Sequence, residues 1–287
     1  MSLRAPNPQQ AIWQRNRGVC RLISRHIEGE QYKMPLENAI TETAISKAIV
    51  ESYYRKLADR IESDVIIAGA GPSGLVAASC LAGAGKRVTI IEKRLSPGGG
   101  IWGGAMGMNQ VVVQKEALPI LEAACIRFVP QDGLYVADAA ELACGLCIQA
   151  LRAGAVLLNL VTLEDLCVRD NRVTGIVANR TTIAGALPVD PLVLSAGAVI
   201  DATGHDAAAV QHLRKRGLLD AALAPGEGPM YAAAGESFVV ERVAEVYPGL
   251  WVTGMSVCTT FGGPRMGPIF GGMLLSGKRV AEMILAR

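Results

Sequence analysis

The chain has no uncharged apolar run close to the ~20 residues that a helix needs to cross a bilayer. Stretches such as Leu192 to Ile200 and Ile269 to Leu275 fall far short of that length, so no membrane partner is expected. An excess of one charge is also missing: 28 Lys and Arg stand against 26 Asp and Glu, for a formal charge of +2. With no long basic run to track a phosphate backbone, no nucleic-acid partner is expected either. The N-terminus, with Arg4, Pro6, Pro8 and two glutamines, lacks the apolar run of a secretory signal, which predicts a reducing cytoplasm and cysteines that remain thiols. There are seven cysteines. Cys144 and Cys147 have redox or zinc-knuckle spacing, but no second pair or histidine pair completes a four-ligand site. They sit in a helix-like run from Ala139 to Ala153, where small thiols are expected to pack in a core.

What is present is apolar. Of 287 residues, 51% are hydrophobic and 19% charged, which excludes a disordered tail protein and fits a soluble enzyme with a large core. Residues 1 to 40 mix Pro, Gln and Arg with little periodicity and read as an N-terminal extension. Residues 41 to 287 read as a single domain with an insertion at about 105–180. From Thr41, Ile45, Ile49, Tyr53, Leu57 and Ile61 recur every four residues, which puts an apolar packing stripe on a helix.

Asp64 to Ala68 is a short β-branched run, Leu75 to Ala84 a small apolar helix, and Arg87 to Glu92 a second buried strand. Strand, glycine turn, helix and strand within about 30 residues make a βαβ unit of a Rossmann-like dinucleotide-binding fold. In the turn from Gly69 to Gly74, Gly69 permits the bend and Gly71 lets a pyrophosphate approach the backbone. Gly74 lets the helix lie close to the strand, while Pro72 and Ser73 open that helix toward the phosphates. Glu92, with Lys93 beside it, ends the second strand where an acid accepts hydrogen bonds from an adenosine ribose, which favours NAD or FAD over NADP.

Downstream, Asn109 to Gln114, Phe128 to Val129 and Leu134 to Val136 look extended, and Lys115 to Cys125 looks helical. Strands follow to Asn179, with Asp170-Asn171 as a hairpin turn. Ala198 to Ala202 and Leu250 to Gly254 return as buried strands, and a last helix runs from about Gly267 to Leu285. Three further features carry chemistry. Gly98 to Gly104 holds five glycines in seven positions; Gly99 and Gly100 there can follow a ligand, although a flexible hairpin has the same composition. Arg265, followed by Met266 and Gly267, has the planar fork that grips a carboxylate or phosphate, unless it is an unengaged surface residue. His205 follows a strand end, where ligands of open α/β sheets collect. With Asp190 it has donors suited to iron or zinc, whereas a lone histidine is more often a hydrogen-bonded structural residue.

Together these residues resemble the thiamine thiazole synthase family of the NAD- and glycine-using type. The matching stretches are Ile40 to Leu75, Pro97 to Gly104, Val189-Asp190-Pro191, Thr203-Gly204-His205-Asp206, Glu245 to Gly249 and Arg265 to Gly277. The resemblance implies that NAD is a substrate. Nicotinamide is removed, the ADP-ribose opens to a ketone, glycine condenses, and sulfur enters to give an ADP-linked thiazole carboxylate, so ADP-thiazole or ADP-ribose-type adducts are expected to co-purify. It also implies that Arg265 holds the glycine carboxylate, that Asp190 and His205 hold ferrous iron, and that the chain forms a homo-oligomer, commonly an octamer. Pro188 departs from the family, which carries a cysteine or histidine there. Proline offers neither thiolate nor imidazole, so sulfur donation from that site is excluded and a metal ligand there is lost; the first reading is then a catalytic synthase supplied with external sulfide. The alternatives are NAD processing without sulfur incorporation and an FAD- or NAD-dependent oxidoreductase, for which the βαβ unit alone would suffice. Cys258 is a conceivable sulfur source, with core packing as its expected role.

Overall fold

The computed structural model describes residues 40–219 and 226–287, so the extension expected at residues 1–40 lies outside them except for Ile40. Residues up to Asp59 form one unit and residues from Arg60 onward another. In the first, helix α1 (Glu42–Ala58) starts at Thr41, whose hydroxyl accepts the Ala44 amide at 3.1 Å. Glu42 in its first turn and Arg55 and Lys56 in its last match the helix dipole. None of its residues is buried. Of the expected stripe, Ile45 and Ile49 are exposed and Tyr53 and Leu57 half-buried.

The second unit opens with β1 (Glu62–Ala68), α2 (Pro72–Gly83) and β2 (Val88–Glu92). The chain continues through β3 (Gln110–Val113), α3 (Leu118–Ala123), β4 (Phe128–Gln131), β5 (Leu134–Asp138), α4 (Ala139–Arg152) and β6 (Val156–Asn159). Next come β7 (Val161–Arg169), β8 (Arg172–Arg180), β9 (Leu192–Asp201), α5 (Ala208–Lys215), β10 (Gly228–Met230) and α6 (Ala232–Glu241). The last elements are β11 (Ala244–Tyr247), β12 (Leu250–Val252), α7 (Met255–Phe261), β13 (Pro264–Arg265) and α8 (Gly271–Leu285).

The central sheet has the order β11-β12-β9-β1-β2-β6. From β12 to β6 all neighbours are parallel, and β11 joins antiparallel at the edge. Val88 to Glu92 are buried throughout, as a strand covered on both faces requires. The fold is therefore the Rossmann-like α/β arrangement expected. The Asp170-Asn171 turn appears as predicted, both residues holding positive φ (48° and 58°), the signature of a two-residue hairpin turn. β8 then pairs antiparallel with Leu192 to Ser195. Hence β9 begins six residues before the buried Ala198 to Ala202 run: its first part alternates exposed and buried, and only its second part is continuously buried. Residues 105–180 divide. β3, β5 and β4 form a separate antiparallel sheet, whereas β6, β7 and β8 belong to the central one.

α2 packs against α4 and α8. A side chain at Gly277 would overlap the Ser73 carbonyl, and one at Gly254 the Ser73 hydroxyl, so two glycines allow the start of α2 to sit deep in the core. The last helix starts at Gly271 rather than Gly267, because Gly267 has φ +71° and Pro268 has no amide hydrogen to give. Cys144 is exposed on α4 and Cys147 is half-buried, so the pair does not fill the core as expected. Among the described residues no helix is long and apolar enough to cross a membrane.

Candidate active site

A cavity of about 670 Å³ opens at the carboxyl ends of β1, β2 and β9, within the roughly 300–1,000 Å³ of small-molecule sites. Gly69, Gly71, Pro72 and Ser73 line it from the turn, Glu92 and Lys93 from the end of β2, and Gly99 and Gly100 from the loop opposite. The glycines divide by function. Gly69 holds φ +104°, and a Cβ there would overlap the Ala202 carbonyl oxygen. Gly74 lies outside the lining, and its Cβ would overlap the Gly69 carbonyl, which is the close helix–strand approach expected of it. A Cβ on Gly71 would meet nothing within 4 Å, so its open side faces the cavity.

Gly71 is the N-cap of α2 and makes no side-chain cap hydrogen bond, and Pro72 follows it. An uncapped helix start facing a cavity favours an anion. The glycine-rich loop is ordered against this turn: the Gly98 amide donates to the Ala70 carbonyl at 2.7 Å, and Gly99 lies so near Gly71 that an added Cβ would come within 3.0 Å of its Cα. Glu92 is buried. Its Oε2 accepts the Ala70 amide at 2.9 Å and its Oε1 the Arg94 amide at 2.7 Å, so the carboxylate is fixed by backbone while it lines the cavity. Lys93 Nζ reaches Asp206 Oδ2 at 2.6 Å, joining the end of β2 to the segment that carries His205.

At the other end the carrier is Asp201, fully buried at the last position of β9. Its carboxylate accepts from the Thr203 amide and hydroxyl (3.0 and 2.7 Å), the Val210 amide and Ser256 Oγ (both 3.1 Å). This network holds the turn that presents His205. His205, Arg265, Met266 and Gly267 all line the cavity. His205 Nδ1 lies 2.5 Å from Glu227 Oε1, and Arg265 Nε lies 3.4 Å from Glu227 Oε2. The Glu227 side chain is only 13% exposed, against 60% for His205 and 53% for Arg265, so it is the fixed member of the three.

Asp190 is exposed and does not line this cavity. Pro188 is exposed in the same segment. A carboxylate-held imidazole is the usual form of a metal-ligating histidine, and His205 fits that role. Among the described residues, however, no group of three His, Cys, Asp or Glu side chains could hold a metal ion. The Asp190–His205 pair is therefore not assembled at this cavity within one chain. Cys258 is fully buried, and burial, aided by the Glu227 charge, pushes its thiol up to about 11. The packing role expected of it holds. Sequence reasoning missed Glu227 and Asp201. Glu227 stands alone among Gly and Pro in Pro225-Gly226-Glu227-Gly228-Pro229 with no periodic pattern to mark it. Asp201 reads as one polar break in an apolar strand.

Comparison with known proteins agrees with this geometry. Residues 46–270 match the Thi4 family. The thiamine thiazole synthase of Pyrococcus abyssi (strain GE5 / Orsay) is 53% identical over 250 residues, covering 86% of this chain and 98% of that protein. That of Thermotoga maritima is 46% identical over 250 residues, covering 87% and 99%. The crystal structure of Thermovibrio ammonificans THI4 superposes with a TM-score of 0.83 at 45% identity, covering 86% of this chain and 98% of that one. With its residues aligned over nearly the whole described length and its fold shared, the chain belongs to the Thi4 family.

Proposed function

We propose that this chain is a thiazole synthase that converts NAD, glycine and externally supplied sulfide into an ADP-linked thiazole carboxylate and releases nicotinamide. The observation that carries this reading is the presence in one cavity of an uncapped helix start at Gly71, the Glu92 carboxylate, and the His205 and Arg265 side chains. The amides opening α2 oppose the pyrophosphate charge. Glu92 keeps lone pairs for ribose hydroxyls beyond the two amides it already accepts. Arg265 offers its planar fork to the glycine carboxylate, with its Nε 3.4 Å from Glu227. His205 presents its second ring nitrogen to the reacting end.

Ferrous iron and a homo-oligomeric ring enter through family membership. Bound iron would carry sulfide to the substrate, and His205 is the residue of this cavity suited to hold it. Two observations favour a narrower second reading, NAD processing without sulfur incorporation: Pro188 has no donor atom in its side chain, and Asp190 stands outside the cavity lining. Anaerobic incubation with NAD, glycine, ferrous iron and sulfide, followed by mass analysis of the adenylated products, separates the two. More than one equivalent of thiazole per chain is expected. A sulfur-free adduct alone would select the second reading, and a flavin absorption band with intact NAD would return the chain to the oxidoreductases.

A further inference from the structure

Glu227 precedes β10, and its place is set by backbone. Gly228 pairs with Pro264 and Met230 with Arg265 in the β10–β13 ladder, with the Gly228 amide donating to the Gly263 carbonyl at 2.8 Å. The Gly226 amide donates to the Thr259 carbonyl at 3.2 Å. The segment is thus tied on one side to the strand that carries Arg265 and on the other to α7. Thr259 Oγ1 stands 3.1 Å from Glu227 Oε1 and 3.2 Å from the His205 carbonyl, so the same hydroxyl contacts both members of the pair.

We propose that Glu227 is a positioning residue: one carboxylate oxygen holds His205 in the Nδ1–H tautomer and the other holds the Nε edge of Arg265, so that both side chains face the substrate in fixed orientations. A carboxylate only accepts, so the hydrogen shared at 2.5 Å belongs to Nδ1. Nε2 is then the nitrogen with the free lone pair, and it makes no hydrogen bond to any described residue. Without the carboxylate an imidazole at 60% exposure is free to turn and to exchange tautomers, which removes the preorganisation a reacting group needs. The guanidinium is held at one edge in the same way, and its planar fork stays open on the other. The roles of His205 and Arg265 rest on the function proposed above, whereas the tautomer does not.

The experiment therefore reads both. Protein labelled with 15N in histidine alone, at a pH where imidazole is neutral, is compared by magic-angle-spinning NMR with Glu227→Ala and Glu227→Gln, and His205→Ala assigns the signal. The expected spectrum shows a protonated Nδ1 and an unprotonated Nε2 for His205 in the native protein and in Glu227→Gln, whose amide oxygen still accepts. In Glu227→Ala the pattern moves to the opposite tautomer or to a mixture. In parallel, NAD affinity is expected to stay within about twofold in both variants. Turnover falls about a hundredfold in Glu227→Ala and recovers at least about tenfold in Glu227→Gln. A native His205 protonated on Nε2, or a Glu227→Ala protein with native tautomer and native turnover, overturns the proposal. Native protein that shows the Nδ1–H signal yet makes no adenylated product would leave the tautomer assignment standing and sink the thiazole synthase reading instead.

Discussion

At the Gly69–Gly74 turn the cavity wall is backbone packed to its contact limit, whereas at His205 and Arg265 it is half-exposed side chain tied through one carboxylate. Apart from the open side of Gly71, the first region has no spare volume: Gly69 abuts Ala202, Gly74 abuts Gly69, and Gly254 and Gly277 close on Ser73. Its shape follows from close packing, which a single methyl group can disturb. The second region owes its order to charge and hydrogen bonding among Glu227, His205, Arg265 and Thr259. Such groups can be altered without loss of the fold, at the cost of geometry. Under the proposed function, binding and chemistry fall to parts of the molecule that fail in different ways.

The largest expected effect breaks the first region. Gly69→Ala combines a φ of +104° with overlap onto the Ala202 carbonyl and should destabilise the fold by about 3 kcal/mol or more. A lowered Tm and lost NAD binding, measured together by calorimetry, are the expected result; an unchanged Tm would mean the turn has slack that its contacts deny. Next is the second region. His205→Ala should lower turnover by about a thousandfold while NAD affinity stays within about twofold, because no contact of His205 reaches the turn. Equal losses in both would erase the division between the two ends.

The same division explains what could be read in advance. The turn was legible because each glycine answers a local geometric need and the flanking strands carry β-branched runs, as in Val65 to Ala68 and Val88 to Glu92. The second region was legible only residue by residue. His205 and Arg265 stand out by type, but Glu227, which joins them, comes from a different segment brought in by the two-stranded β10–β13 ladder, and no spacing along the chain encodes that pairing. α1 shows the reverse. Its period of four was clear, and yet Ile45 and Ile49 are exposed, since periodicity specifies a face and says nothing of what covers it.

A finer test separates packing from binding inside the turn itself. Gly71→Ala adds a methyl group that meets no protein atom within 4 Å, at a backbone position with φ −75° that any residue adopts. Stability should change by less than about 1 kcal/mol. NAD affinity should fall about tenfold or more, because the methyl group takes the space through which a pyrophosphate would approach. Native affinity would show that the phosphates run elsewhere, and the contrast with Gly69→Ala would then lose its meaning.

The smallest effect concerns the sulfur that this chain does not supply from position 188. Cys258 is close in sequence to Arg265, but its thiol sits at about 11, so at neutral pH roughly one molecule in ten thousand carries the thiolate that sulfur transfer requires. Cys258→Ala should therefore leave sulfide-dependent product formation unchanged, measured as equivalents of product per chain. Loss of turnover without loss of NAD binding would make Cys258 a donor. Its effect should appear in stability instead. Because the folded thiol holds its proton more tightly than the unfolded one, its contribution is complete below about pH 9 and is lost as pH rises toward 11. Thermal melts across that interval should fall less steeply for Cys258→Ala than for the native chain. Part of the slope will persist, since burial also raises the thiols of Cys80, Cys147 and Cys167.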